Sequence, residues 1–275
     1  MKAQYDNKLM SSFVLWLDHT VSNLGSGYYQ RLIQFWPDKQ LYAGLYSYNA
    51  PFTQIISDSS LPGAMVQTGI VVNSSFIAVG QSGLSGIDYN NGRFYSSTFF
   101  TGNISMNSGN VKEIPVKMTS EPETKLLFET KYENKPKTDN PTSGLASDAV
   151  AYPVIFVRSN SSKNEPWQFG GTENTYNYIR AISFCDSQFQ LDAVLGIMRD
   201  QVRNYVPILE ESEFPYDSIG WLKTNPYSYT GITAGKVAAG NAAFIDEIYI
   251  SKFNQNSFSQ AITDLNPNVY VGITD

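Results

Sequence analysis

The chain has 275 residues, of which 42% are hydrophobic and 16% are charged, and this apolar, aromatic-rich composition excludes an intrinsically disordered protein. Its 19 basic and 25 acidic residues give a formal net charge of -6, which excludes a protein that wraps nucleic acid with a broadly basic surface. One cysteine and one histidine exclude an intramolecular disulfide and most zinc sites and catalytic triads.

The first predicted element is an N-terminal amphipathic helix. Large apolar residues recur at three- and four-residue steps from Leu9 to Leu24, and Gly25 stands where a helix would end. Ser11 and Ser12 interrupt the apolar run and no small-x-small cleavage site follows, so we do not interpret the segment as a signal peptide. No window reaches the roughly 18 apolar residues of a membrane-spanning helix, so we expect no membrane partner.

A series of short strands is predicted after this helix. Apolar and β-branched runs at Met65–Val72 and Phe76–Val79 flank Asn73-Ser74-Ser75, a polar stretch that suits a tight connection. Asn91-Gly92 is the strongest hairpin signal in the chain, because both residue types tolerate positive φ. Val111–Met118 and Lys125–Tyr132 are two further predicted strands, and the proline of the first indicates a sheet edge or a bulge.

Residues 133–150 are predicted to be a loop or linker, because the segment contains Pro136 and Pro141 and few large apolar side chains. We therefore predict a β-rich part with a leading helix at residues 1–132 and an α+β part at residues 151–275. One continuous domain is the alternative.

The C-terminal part is predicted to begin with two strands, Ala151–Arg158 and Tyr176–Cys185. The polar segment Ser159–Thr175 between them is predicted to be a loop. It carries Trp167 and Phe169, and large aromatic residues in such a loop either tuck under it or contact a partner.

A long amphipathic helix is predicted near residues 188–206. Ser187 and Gln190 have the spacing of a capping box, and one apolar stripe is formed by Leu191, Val194, Leu195, Met198, Val202 and Tyr205. Beyond it we predict a strand at Ala243–Phe253, a short helix at Phe258–Leu265 and a closing strand at Val269–Ile273. The predicted fold class is α+β, mainly antiparallel β-sheet with these helices.

The residue types that carry most catalysis are scarce, and those present have simpler interpretations. His19 lies near the end of the first helix, where it packs, and Cys185 has the flanks of a buried strand residue. Glu210, Glu211 and Glu213 are predicted to form a solvated acidic patch; a glycosidase pair is the alternative. We predict no enzyme, no cofactor and no metal.

Three runs of the sequence resemble virion structural proteins of tailed bacteriophages, especially those with contractile tails. The runs are Gly83–Arg93; Tyr152–Arg158 with Asn164–Gly171; and Ile179–Ala181 with Asp186–Phe189 and Leu191–Val194. The resemblance implies a neck, head-closure, connector or tail-terminator protein that forms a ring around the DNA channel. It also implies that the protein is located in the virion, after assembly in the host cytoplasm.

This resemblance implies that the partners are further copies of the chain and adjacent neck or tail proteins. Double-stranded DNA would pass through the channel without specific binding, which an acidic chain permits. The interface residues that we expect are Trp167, Phe169, Trp221 and the edge strand near Pro115.

Other functions compatible with the sequence are a tail-tube or capsid-associated protein and a carbohydrate- or receptor-binding β module. A carbohydrate module requires exposed aromatic faces. Of the four tryptophans, Trp16 and Trp36 are predicted to pack in the interior, whereas Trp167 and Trp221 are predicted to be exposed.

Overall fold

The computed structural model describes residues 5–24, 27–31, 33–50, 54–106, 109–134, 149–166, 172–217, 220–223, 226–255 and 258–272. The helices are α1 Tyr5–Leu24, α2 Gln188–Arg199 and α3 Tyr229–Thr233, with a π-helical turn at Lys125–Glu129 and a 3-10 turn at Glu211–Glu213. The strands are β1 Tyr28–Arg31, β2 Trp36–Tyr42, β3 Leu45–Asn49, β4 Gly69–Val72, β5 Ser75–Ala78, β6 Leu84–Asp88, β7 Arg93–Ser96, β8 Ile104–Ser105, β9 Gly109–Lys112, β10 Val116–Met118, β11 Lys131–Asn134, β12 Ala149–Tyr152, β13 Val154–Pro166, β14 Thr172–Cys185, β15 Tyr205–Pro207, β16 Ala242–Gln255 and β17 Phe258–Gly272.

A six-stranded sheet dominates the C-terminal part, with strand order β10-β13-β14-β17-β16-β15. Its neighbouring strands are antiparallel except β10 and β13, which are parallel. The four long strands have 13 to 15 residues each. The described chain is thus mostly β-sheet with a few helices, which confirms the predicted α+β class.

Helices α1 and α2 cover one face of this sheet and bury the principal core with it. Leu9, Phe13 and Leu17 of α1 pack in one cluster with Ala181 of β14 and Leu265 of β17. Because Leu9, Phe13 and Leu17 recur with helical spacing, they form one stripe that reaches the sheet, while residues on other faces of α1, such as Leu15 and Asp18, are buried as well. Burial of that stripe is the main reason for the helix to dock here.

Helix α2 begins as its sequence predicts but ends before residue 206. The Ser187 hydroxyl accepts a hydrogen bond from the Gln190 backbone N–H at 3.2 Å, so Ser187 is the N-cap. The helix ends at Arg199 because Arg203 takes a φ of 64° and the chain then enters β15. Val202, part of the predicted stripe, is consequently 44% exposed.

The N-terminal strands form a second core. A four-stranded sheet of order β2-β3-β7-β6 and a three-stranded sheet of order β5-β4-β8 contribute to it. The rings of Tyr48 and Phe94 stack at its centre, 4.4 Å apart and nearly parallel. The buried Tyr48 hydroxyl accepts a hydrogen bond from the Phe100 N–H at 2.6 Å.

The hairpin turns differ from the prediction in their geometry. β6 and β7 form the expected hairpin, but Asp88 pairs with Arg93, so the loop has four residues. Of the Asn91-Gly92 pair only Gly92 has a positive φ, 61°, because the Asp88 carboxylate accepts the Asn91 N–H and holds the loop. The tight two-residue turn lies instead at Asn73-Ser74, with φ values of 47° and 70°.

Two segments predicted as a helix and a loop are strands. The helix predicted at Phe258–Leu265 is wrong, because β17 runs through it with hydrogen-bonded neighbours on both sides. Most of the loop predicted at Ser159–Thr175 belongs to β13 and β14; residues 167–171 lie outside the described part. In both cases, pairing with neighbouring strands outweighed the local composition. The strand predicted at Lys125–Tyr132 is wrong for most of its length, because residues 125–129 form the π-helical turn and β11 begins only at Lys131.

The predicted division at residues 133–150 stays a prediction, and the structure adds two facts about it. Helix α1 and strand β10, both N-terminal to it, pack on the C-terminal sheet. The ends of the predicted linker lie in β11 and β12, which pair with each other in parallel. Residues 135–148 lie outside the described residues.

Candidate functional site

A cleft of about 660 Å³ lies between α1, β10 and the described residues 211–217 and 220–223. Helix α1 contributes the apolar side chains of Val14 and Leu15 to its wall, and all three residues of β10 line it. Phe214 adds apolar surface from the opposite side. A concave, largely apolar site with a few polar groups is the usual form of a ligand pocket.

Lys117, the middle residue of β10, contributes an ammonium group to this cleft. Its ammonium has no hydrogen bond or ion pair with any residue in the described part of the chain. Burial lowers the pKa of Lys117; the negative charge of Asp88 opposes this effect, and the positive charges of Arg93 and Lys112 reinforce it. Within the described residues, the side chain is therefore a half-buried cation without a counter-charge in contact.

Two acidic groups that line the cleft, Asp18 and Asp217, have hydrogen-bond partners of their own. Both carboxylate oxygens of Asp18 accept hydrogen bonds from the Lys112 ammonium, at 2.7 and 2.8 Å. The Asp217 carboxylate accepts the Trp221 backbone N–H at 2.9 Å. These contacts hold two of the acidic groups that line the cleft in place.

One edge position of β10 is closed by a side chain. The Gln54 amide donates to the Val116 carbonyl at 2.9 Å and accepts the Val116 N–H at 3.2 Å. These are the two hydrogen bonds that a neighbouring strand would make with Val116. Gln54 is only 2% exposed, so this contact is a fixed part of the cleft wall.

The predicted interface residues have different surroundings in the structure. Pro115 is buried and precedes the edge strand β10, and its carbonyl accepts the Ile155 N–H at 2.8 Å. Trp221 is half-buried: a Cβ on Gly86 would lie 2.7 Å from its ring, and Tyr95 lies 5.8 Å away. Trp167 and Phe169 lie outside the described residues.

Lys117 and Gln54 are residues that the sequence did not single out. A lysine between Val116 and Met118 is a visible signal of a strand with one polar face. The hydrogen bonds of Gln54 join residues 62 positions apart and have no local sequence signal.

A second surface lies on the opposite face of the six-stranded sheet. Tyr178 and Tyr249, 38% and 58% exposed, flank a cleft of about 320 Å³ that Asp264 and Asn266 also line. Arg180 donates two hydrogen bonds to Asp264, at 2.6 and 2.9 Å, and fixes that carboxylate. The surface combines exposed phenol rings with fixed polar groups.

The catalytic candidates have structural partners. His19 Nδ1–H donates to the Asp58 carboxylate at 2.7 Å, and the imidazole stacks on Tyr229 at 4.4 Å. Cys185 is buried, and burial raises the pKa of its thiol to about 12, with the charge of Asp186 adding to the effect. The predicted buried cysteine is thus confirmed.

The acidic segment forms ion pairs with lysines from two other parts of the chain. Glu210 pairs with Lys8 of α1, and Glu213 pairs with Lys236 at 2.5 Å. These contacts anchor the described residues of the segment, 211–217 and 220–223, beside the cleft. Among the described residues, no three His, Cys, Asp or Glu side chains come together as a metal site would require.

Trp16 and Trp36, which were both predicted to pack in the interior, differ in their exposure. Trp16 is 5% exposed, whereas Trp36, which was predicted to pack, is 37% exposed on the outer strand β2 of its sheet.

Within the described ranges, no helix has the length and apolar character to cross a membrane. No protein-family model matches the chain, and no curated protein sequence is significantly similar to it.

Proposed function

We propose that this chain is a structural component of a tailed-phage virion that forms a ring at the head-to-tail junction, as a neck, head-closure or tail-terminator protein. The observation that carries the proposal is the pair of short strands at the two ends of the six-stranded sheet. Strands β10 and β15 have three residues each and, in the described part of the chain, each pairs with only one strand of this sheet.

These two edges carry exposed apolar side chains. Met118 on β10 is 62% exposed, and Tyr205 on β15 is 47% exposed. A ring requires two different, mutually complementary surfaces on each copy, and the two ends of one sheet supply such a pair. Exposed apolar residues at a sheet end are a feature of protein interfaces. On β10 the proposed contact is the Met118 side chain, because Gln54 already occupies the hydrogen-bonding edge at Val116.

The long strands provide a further element for contacts between copies. Residues 159–164 of β13 are exposed along the outer half of the strand, beyond the segment that the helices cover. An extended hairpin of this kind offers backbone and side-chain contacts to an adjacent subunit. In this proposal, α1 and α2 support the sheet, and the chain has no catalytic residue and no cofactor.

The acidic charge of the chain fits a role beside DNA that moves. A net charge of -6 gives no general attraction for phosphates, so DNA would pass a ring of such chains without sticking. The partners in this proposal are identical copies and adjacent neck or tail proteins, located in the virion after assembly in the host cytoplasm.

Substitutions at the two edges test the proposal. Met118→Glu and Tyr205→Glu place a charge on each proposed contact, and we expect either one to abolish rings in negative-stain images. Phe76→Glu is the matched control, because Phe76 is 50% exposed but lies on β5 of another sheet. Unchanged assembly of both edge variants, or equal loss in the control, would contradict the proposal.

A carbohydrate- or receptor-binding module is the second candidate, and the exposed rings of Tyr178 and Tyr249 favour it. Sugar rings stack on such aromatic faces while fixed polar groups such as Asp264 accept hydroxyl donors. Saturable binding on a glycan array that is lost in Tyr178→Ala, by a protein that stays monomeric, would favour this function over the ring.

A further inference from the structure

The cleft beside β10 holds a positive charge that the protein itself does not neutralise. The Lys117 ammonium is desolvated there without a hydrogen-bond or ion-pair partner in the described part of the chain. Lys117 is half-buried in the cleft wall, so its ammonium is less well hydrated than that of an exposed lysine, and an anion that reaches it gains more there. The charge belongs to the single chain, and the cleft shares Met118 of β10 with the edge that we propose for the ring contact.

Of the three acidic residues that line the cleft, Asp18, Glu211 and Asp217, the first and the last have carboxylates that accept hydrogen bonds from other donors. Asp18 is held by Lys112, and the Asp217 carboxylate accepts the Trp221 N–H. Asp88, whose charge acts on Lys117, accepts hydrogen bonds from the backbone N–H groups of Asn90 and Asn91. None of these carboxylates makes a hydrogen bond with the Lys117 ammonium.

The remaining wall of the cleft indicates what kind of anion fits. Val14, Leu15, Val116 and Phe214 provide apolar surface around the ammonium. The volume of about 660 Å³ lies within the range of small-molecule pockets. Carboxylates on the wall repel a dianionic phosphate more strongly than a single negative charge.

We propose that this cleft binds a short carboxylate with an apolar body, whose carboxylate contacts the Lys117 ammonium and whose hydrocarbon lies against Val14, Leu15 and Phe214. Gln54 shapes the floor, because its two hydrogen bonds to Val116 hold the edge of β10 beside the ligand. The charge-assisted hydrogen bond supplies specificity for the acid, and the apolar wall supplies contact area.

Hexanoate is the probe, with hexanamide and inorganic phosphate as the uncharged and dianionic comparisons. We expect isothermal titration calorimetry to show saturable millimolar binding of hexanoate, with binding of the other two at least about tenfold weaker. Lys117→Met should weaken hexanoate binding about tenfold or more. Lys125→Met, at an exposed lysine outside the cleft, should bind hexanoate as the wild type does.

Val14→Phe provides a second variant that retains the charge and fills the apolar wall, and it should also weaken hexanoate binding. Circular dichroism checks that each variant is folded. Absence of saturable hexanoate binding in the millimolar range, or equal affinity in wild type, Lys117→Met and Val14→Phe, would overturn the proposal. Equal affinity for hexanoate and hexanamide would also overturn it, because the ammonium would then contribute nothing.

Discussion

Asp58 joins three separate segments of the chain through one carboxylate. It accepts hydrogen bonds from His19 of α1, from the backbone N–H of Tyr229 at the start of α3, and from the hydroxyl of Ser60 in its own loop. The Asp58 side chain is 5% exposed, so these contacts replace the water that it would have in the unfolded chain. The Asp58 carboxylate thus connects the start of α3 to both α1 and the loop around residue 60.

Replacement of this carboxylate is expected to destabilise the protein strongly. Asp58→Asn removes the acceptor of the His19 proton and leaves buried donors poorly paired, at a cost of about 3 kcal/mol in the free energy of unfolding. Urea denaturation at neutral pH measures this loss. Asp217→Asn, at a more exposed carboxylate, is the control and should change stability less.

Because of Asp58, the free energy of unfolding is expected to depend on pH. Burial alone would raise the pKa of Asp58, but the hydrogen bonds from His19, Tyr229 and Ser60 outweigh it and lower the pKa below that of the unfolded chain. The stabilisation is therefore present above the unfolded-state pKa of about 4 and is lost as the pH falls through the folded-state pKa. The stability difference between wild type and Asp58→Asn should shrink with acid; a difference that is constant with pH would contradict this account.

Ser74 holds a backbone conformation that its side chain disfavours. It is the second residue of the two-residue turn between β4 and β5, with a φ of 70°. Ser74→Gly should raise the free energy of unfolding by about 0.5–1 kcal/mol, because glycine adopts positive φ without a steric cost. Ser75→Gly, one residue later in β5, should lower it, and thermal unfolding of both variants measures the two signs.

At the scale of elements, β10 is a short edge strand that a side chain partly closes. Gln54→Leu retains the volume at this position but leaves the Val116 N–H and carbonyl without these partners, at a cost of about 2 kcal/mol. Hydrogen exchange at the Val116 amide should become faster. Gln81→Leu, at an exposed glutamine, is the control; unchanged protection of Val116 in Gln54→Leu would show that the side chain does not close this edge.

The elements differ in how far their own sequence determines them. The spacing of Leu9, Phe13 and Leu17 predicts a buried stripe because helical periodicity is local, and these residues are buried; Leu24, in the same pattern, is 60% exposed at the helix end. Phe258–Leu265 looked helical, yet it pairs with strands on both sides, and such pairing depends on distant segments.

In the candidate site, too, some features have a local sequence signal and others depend on contacts between distant segments. Pro115 predicted an edge at β10 from its missing N–H, and β10 is at the end of its sheet. The isolation of Lys117, in contrast, depends on the pairing of Asp18 with Lys112, 94 residues apart. The contact of Trp221 with the backbone of Gly86 likewise depends on the tertiary fold, so its partial burial has no local signal.

At the scale of the whole molecule, buried polar contacts around α1 join the core under α1 and α2 to the core of the N-terminal strands, and a third cluster lies around Phe156 and Phe184. The Asp18–Lys112 pair links α1 to β9, and the His19–Asp58 pair links it to the loop before residue 60. The six-stranded sheet, backed by α1 and α2, then presents β10 and β15 at its two ends. A rigid body with two different edges is the geometry from which we infer assembly into a ring.

The most direct test of this inference is the mass of the purified protein in solution, measured by light scattering alone and with each neighbouring gene product added in turn. We predict closed assemblies of about six to twelve copies, formed by the chain alone or with one partner. A strict monomer that is indifferent to every partner would contradict the account.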